Sequence, residues 1–245
     1  MAPELSIRIL EGVSEQSLAR DIFDLVWPTA EGRQITANLM QAMVHNGAYV
    51  SGAFLGDEIV AAAFAFPGVD AQGHLHLHSH MAAVKEEFRN KNFGSALKWH
   101  QRQWALEHNI KTITWTFDPL VRRNAKLNIL KLGVLVYEYF ENFYGDLPDA
   151  LNAGDPTDRM IAQWNITSDR VERAANSGLG YSNGDGFLCH LPEDIIEIRR
   201  SDPALALKWR LDVRNILKPK LESGWYINGL TEDGAYVLQE TESEK

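Results

Sequence analysis

The run His74-Leu-His-Leu-His-Ser-His-Met81 constrains this chain more than any other segment. Imidazoles occupy every second position, with Leu75, Leu77 and Ser79 between them. A strand satisfies such alternation by sending His74, His76, His78 and His80 to one face, whereas a helix, repeating near every 3.6 residues, scatters them. The next segment is equally directional. Val84-Lys-Glu-Glu-Phe-Arg-Asn-Lys-Asn-Phe-Gly94 is polar and turn-forming, and Gly94 to His108 has helical apolar spacing, with Leu97, Trp104 and Leu106 as buried candidates. The centre of the chain therefore reads strand, short polar loop, helix.

The flanking segments extend this unit into a sheet. Leu5 to Leu10 reads as a first strand. Ser14 to Val26 reads as a helix capped by Ser14 and ended by Trp27-Pro28, with Leu18, Ile22, Phe23 and Val26 on its apolar face, and Ile35 to His45 reads as a second helix. Ala48 to Leu55 and Glu58 to Phe66 are apolar runs separated by Gly56-Asp57, a hairpin signal, with Pro67 to Gly73 a loop. Lys111 to Phe117 is β-branched and aromatic, Arg122 to Leu132 is helical and stopped at Gly133, and Val134 to Tyr144 and Asp158 to Ile166 are strands. Hairpins first and helix-linked strands later predict an α/β (mixed α+β) domain over residues 1–167, a mixed sheet with helices on its faces. Residues 168–245 form an extension packed on it: helix Asp169 to Ser177, strand Phe187 to Leu191, helix Pro203 to Leu221 and a hairpin from Trp225 to Gln239. By composition the best internal boundary is the glycine-rich Asn176 to Gly186.

With 245 residues, 45% of them hydrophobic, the chain can build a sizeable core. Its net charge of −9 argues against general nucleic-acid binding and against docking on anionic membranes, and favours neutral or cationic substrates. The single cysteine, Cys189, can form no internal disulfide and no thiolate cluster. No basic and apolar leader opens the sequence, and no apolar run is long enough to cross a bilayer. A cytoplasmic protein is expected.

A loop that opens a helix presents unpaired N–H groups and a positive dipole end, a phosphate site in the making, and Arg89, Lys91 and Lys98 add local positive charge. Val84 to Gly94 resembles the pyrophosphate loop of the GNAT (Gcn5-related N-acetyltransferase) superfamily, a Val-x-Pro-x-x-Arg/Gln-x-x-Gly-x-Gly pattern. Arg89 falls on the Arg/Gln, Asn92 on the first glycine and Gly94 on the second, while Glu86 replaces the proline. Asn92 must then accept a positive φ, which asparagine tolerates better than most residues. Thr112-Ile-Thr-Trp-Thr-Phe-Asp118 is similar to the family's fifth strand and Arg123 to Gly133 to its following helix. Ser79-His-Met, Trp115 to Leu120, Asn124-Ala and Pro156-Thr-Asp-Arg159 resemble an uncharacterised predicted acetyltransferase branch. The resemblance spans residues 5–167. It implies the GNAT fold, a mostly antiparallel sheet splayed between strands 4 and 5. It also implies acetyl-CoA or another acyl-CoA as co-substrate, held by Ala82, Ala83, Val84, Arg89, Asn90, Lys91, Asn92, Phe93, Gly94, Ser95 and Asn124.

Three readings of the histidines stay open: a solvated strand face, a His-x-His zinc site, or catalysis. Acyl transfer to an amine needs a base that titrates near neutrality, which histidine is. Arylalkylamine N-acetyltransferases of the superfamily carry a His-x-His at the places of His78 and His80, so the resemblance implies His80 as base with His78 as helper and no metal. The family's helix tyrosine, which protonates the departing thiolate, would fall at Ile129, which cannot do so. Tyr144, Tyr137 and Tyr139 are substitutes by type, and Asp118 is a further candidate base. Asp158 or Arg159 could pair a substrate's charged end or belong to a capped loop. Trp99, Trp104 and Trp115 read as packing and Cys189 as buried and inert. The reading is an acyl-CoA-dependent N-acyltransferase, acetyl by default with succinyl or another short acyl group open. Its acceptor would be a small-molecule amine such as an amino acid, and a homodimer is left open. The rival is a non-catalytic CoA-binding regulatory module of the same fold.

Overall fold

The computed structural model describes residues 4–28, 33–145 and 155–241. The chain divides into two compact units, Met1–Thr114 and Trp115–Lys245.

In the first unit the strands are β1 (Leu5–Ile9), β2 (Tyr49–Leu55), β3 (Glu58–Val69), β4 (Leu75–Val84) and β5 (Thr112–Phe117), adjacent in that order, with β5 passing into the second unit at Trp115. β1 to β4 pair antiparallel and β4 pairs with β5 in parallel. α1 (Gly12–Val26) and α2 (Ala37–His45) cover one face of this sheet. Ala19, Ile22, Phe23 and Met40 from these helices pack there on Val50, Phe54, Ala62, Phe64, Met81 and Ala83. Each large apolar side chain in that cluster contributes about 1.5–3 kcal/mol by leaving water. α3 (Phe93–Glu107) covers the other face, where Tyr49 meets Trp104 edge-on at 5.3 Å and its hydroxyl lies 2.8 Å from His100 Nδ1.

Two local readings change. α1 opens at Gly12, not at Ser14, because Glu15 Oε2 accepts the Glu11 N–H at 2.9 Å and Ser14 already lies within the first turn, its carbonyl accepting from Ser17. β3 runs through Pro67 to Val69, where a loop was expected. Proline donates nothing to a ladder and so reads as a strand end, yet Pro67 pairs with Leu77 and Gly68 with His76. The His76 ring lies over Gly68, where a Cβ would stand 2.7 Å from its Nε2 and would have to displace it.

In the second unit the strand order is β7-β6-β9-β10-β8, paired antiparallel: β6 (Leu135–Phe140), β7 (Arg159–Asn165), β8 (Phe187–His190), β9 (Trp225–Leu230) and β10 (Ala235–Glu240). The helix expected over Arg122 to Leu132 is one α-helical turn, α4 (Arg122–Ala125), that widens into a π-helix at Lys126–Lys131. α5 (Asp169–Ser177) and α7 (Pro203–Glu222) lie where expected. α6 (Ile195–Ser201) was missed because it is short; Asp194 caps it by accepting from Ile196 and Glu197 N–H. α6 and α7 carry Arg199, Arg210 and Arg214 to buried carboxylates at Asp118, Asp155 and Asp158.

Candidate active site

β4 is not a regular strand. Ser79 pairs with Ala65 and Met81 with Phe64, so His80 is an extra residue, a β-bulge. His78, opposite Phe66, lies on the α1–α2 face. The His80 ring packs there too, with its centroid 5.7 Å from Phe66, 6.3 Å from Phe64 and 6.0 Å from His78. Past the bulge the faces invert relative to simple alternation, so Met81 joins the histidine face while Ala82 and Val84 turn toward the α3 side. His74 does not belong to the strand face: it closes a turn in which Asp70 Oδ1 accepts the Gln72 and His74 N–H groups.

Burial lowers the basicity of both central histidines. His78 falls to about 4, with repulsion from His80, His76 and Lys98 added to desolvation, and its Nδ1 lies 3.3 Å from Thr114 Oγ1. His80 is lowered by desolvation where its ring meets the phenyl rings, although the residue as a whole is exposed. Both imidazoles are neutral at pH 7, with a lone pair to offer. His78 is a poor proton acceptor there, whereas sequence reasoning assumed unshifted histidines. Among the described residues, no group of three or more His, Cys, Asp or Glu side chains is arranged to hold a metal ion.

On its other edge β4 meets β5 at Leu77↔Ile113 and His78↔Thr114, then runs on to Val84 past that register. Lys85 N–H donates to the Val60 carbonyl of β3 at 3.0 Å. By antiparallel alternation the Ala83 N–H also turns to β3, and the amides of Ala82 and Val84 turn to the opposite edge.

After a single 3₁₀ turn at Glu86–Phe88, Asn90 and Asn92 both take left-handed backbone, at φ 64° and 63°. Asn92 stands at the junction with α3, the conformation a glycine adopts without strain. The first intrahelical bond is Ala96 N–H to the Asn92 carbonyl, so the amides of Phe93, Gly94 and Ser95 precede the helical ladder. Arg89, Asn90, Lys91 and Asn92 are exposed around them. A Cβ at Gly94 would stand 3.9 Å from Val84 Cγ2, an ordinary contact, so nothing near it in the chain demands glycine.

The other expected residues belong to the second unit. Asn124 donates its backbone N–H to the Val121 carbonyl in α4. Tyr144 is exposed, its hydroxyl 2.7 Å from Thr116 Oγ1 and its ring beneath the Arg159 guanidinium. Ile129 is fully buried. Asp118 is no base: burial alone would raise its carboxyl, but Arg210 and Arg199 hold it well below the usual carboxylate range. Asp158 is taken by Arg214 and by the Tyr139 hydroxyl, which removes both Asp158 as a substrate contact and Tyr139 as an acid. Tyr137 stacks on Tyr226, and burial pushes the Cys189 thiol up to about 12. Trp115 and Trp164 pack edge to face.

Sequence reasoning missed the role of Lys98. It was counted with the loop's positive charge, yet it is buried with Leu97, Gln101 and Ala105, and its Nζ donates to Ser79 Oγ at 2.7 Å. The signal was available, since Lys98 and Gln101 share a helical stripe with Leu97 and Ala105.

Residues 16–127 match the model of the acetyltransferase (GNAT) family. The fold is similar to that of Naa50 from Arabidopsis thaliana, solved with the bisubstrate analogue CoA-Ac-MVNAL, at TM-score 0.52 and 15% identity, covering 65% of this chain and 97% of that one. It is similar to a GNAT family acetyltransferase from Elizabethkingia anophelis with acetyl-CoA bound, at TM-score 0.51 and 17% identity over 66% and 97% of the two chains. An acetyltransferase of the GNAT family from Streptococcus pneumoniae gives TM-score 0.52 and 15% identity over 65% and 98%. At these identities the likeness is one of fold. Among curated proteins, none matches the sequence.

Proposed function

From the match of residues 16–127 to the acetyltransferase (GNAT) family model, we propose that the chain is an acyl-CoA-dependent N-acyltransferase acting on a small-molecule amine. The observation that carries this reading is the left-handed Asn92 opening α3 directly behind a bulged β4. The helix-start amides of Phe93, Gly94 and Ser95, with the exposed Arg89, Asn90, Lys91 and Asn92 around them, suit the CoA diphosphate. Asn124 is assigned to the same ligand by resemblance. The edge amides of Ala82 and Val84 suit the thioester carbonyl, where two donors stabilise the oxygen as it gains charge. His80 accepts the proton that the ammonium must lose before attack, with His78 as its neutral neighbour. The amine nitrogen then bonds to the acyl carbon, the C–S bond breaks, and the thiolate takes a proton. Tyr144 is the exposed tyrosine among those considered for that last step. Acetyl is the default acyl group and an amino acid the default acceptor. We assign the reaction to residues 1–167 and a substrate-shaping role to residues 168–245. No described helix is long and apolar enough to cross a membrane, and with a lone cysteine we place the protein in the cytoplasm.

Isothermal calorimetry with free CoA, followed by thiol release from a panel of acyl-CoAs with pooled amines, tests this. Binding and amine-dependent release are expected. CoA binding without release from any pair would overturn the catalytic reading in favour of a regulatory CoA-binding module, which the buried Ile129 in place of the helix tyrosine favours.

A further inference from the structure

A lysine buried between a helix and a sheet is costly, because its charged form loses its hydration. Lys98 is 6% exposed, Ser79 is 4% exposed, and burial lowers the ammonium to about 7. Methionine would fill the same volume without that cost. Both polar atoms of the Gln101 side chain, on the same buried stripe of α3, lack a hydrogen-bond partner among the described residues, and the Lys98–Ser79 bond ties α3 directly to β4.

The place of the tie gives it meaning. Ser79 sits between His78 and His80 and faces away from both, toward α3, and the bulge begins immediately after it. A bulge bends its strand and re-aims the side chain that it carries. α3 is also the helix that opens at Asn92.

We propose that Lys98, acting through Ser79, is a positioning residue that holds the β-bulge at His80 and ties it to the helix opening at Asn92. The inference rests on the reading of His80 as the base. It goes further by naming what keeps that base in place, from the face of the sheet opposite the His80 ring. A displacement of about 1 Å at a reacting group can cost as much as 10²-fold in rate.

The test compares Lys98→Met, Ser79→Ala and the double variant with the wild type. Lys98→Met should melt at or above the wild-type temperature while kcat falls by about tenfold or more and KM for acyl-CoA stays unchanged. Ser79→Ala should lower kcat in the same way, and the double variant should lose no more than the worse single one, as members of one tie do. In the ligand-free protein, the His80 imidazole resonances and titration midpoint should move in both single variants. That readout needs no turnover, so it still decides the matter if the wild type transfers no acyl group and the catalytic reading itself fails. Ser79→Ala, a small change, decides it if Lys98→Met does not fold. Unmoved His80 resonances in Ser79→Ala, or a parallel fall of melting temperature and kcat in Lys98→Met with His80 titrating as before, would reduce Lys98 to a structural residue and overturn the proposal.

Discussion

Arg210 grips Asp118 through two parallel hydrogen bonds, Nη1 to Oδ1 at 2.9 Å and Nη2 to Oδ2 at 3.0 Å, with the guanidinium side chain 0% and the carboxylate 10% exposed. Asp155 and Arg199 complete the cluster, and Asp155 bonds to both arginines. Such a cluster adds less stability than it would take away if broken, because one missing partner leaves a buried charge bare.

Arg210→Met should therefore destabilise the fold by about 3–5 kcal/mol, read as a lowered urea midpoint with an unchanged slope. A chain ending near residue 167 loses Arg199, Arg210 and Arg214 together and uncovers the surface under Trp209, Ile216 and Leu217. It should aggregate. Leu211, on the same helix, is 40% exposed and contributes nothing to that covered face. A truncated protein that stays folded with full activity and unchanged substrate preference would contradict this account of the extension.

Asn92 offers a graded series. Glycine adopts its φ of 63° freely, so Asn92→Gly should keep CoA affinity. A β-branched residue pays about 1–2 kcal/mol in left-handed backbone, so Asn92→Val should lower stability before it lowers affinity. Proline is locked near φ −65° and cannot make the turn, so Asn92→Pro should abolish binding. Gly94→Trp should do likewise by filling the mouth of the amide cluster. Calorimetry on the four variants reads the series, and unchanged affinity in the proline and tryptophan variants would put the ligand elsewhere.

How much of this could be read from the sequence depended on whether the signal was local. The alternation of His76, His78 and His80 and the turn-forming Asn92 are properties of neighbouring residues, and strand, loop and helix came directly from them. The bulge at His80 was hidden because it exists only relative to Ala65 and Phe64 on another strand. Asp118 looked like a candidate base because its partners lie far along the chain, at Arg199 and Arg210, and nothing near position 118 announces them. Pro67 was excluded from a strand by its own chemistry, although tertiary pairing with Leu77 overrides it. Ile129 was placed by resemblance and Tyr144 by residue type alone, and a π-helix at Lys126–Lys131 alters the local spacing that matching to a family assumes.

His80 and His78 tie both turnover and stability to pH. A general base works unprotonated, so turnover is lost as pH falls through its folded pKa. For His80 that value lies below the ordinary 6.5, because burial against Phe64 and Phe66 disfavours the imidazolium. The acid limb of the kcat/KM profile should therefore sit below pH 6.5. His80→Ala should lower the rate at neutral pH by about 10²- to 10⁴-fold and recover in part at high pH, where the amine loses its proton unaided. His78→Ala should cost less, since a group at about 4 carries almost no proton at neutral pH. The double variant should cost less than the product of the two. Stability follows the same shifts. Both histidines bind protons more weakly folded than unfolded, so the unfolded chain takes up more of them between pH 6.5 and about 4. Stability is full above that window and is lost as pH drops through it. His78→Phe should flatten the loss in urea melts across the window, and a wild-type curve that shows none would remove the neutral histidine pair on which this mechanism depends.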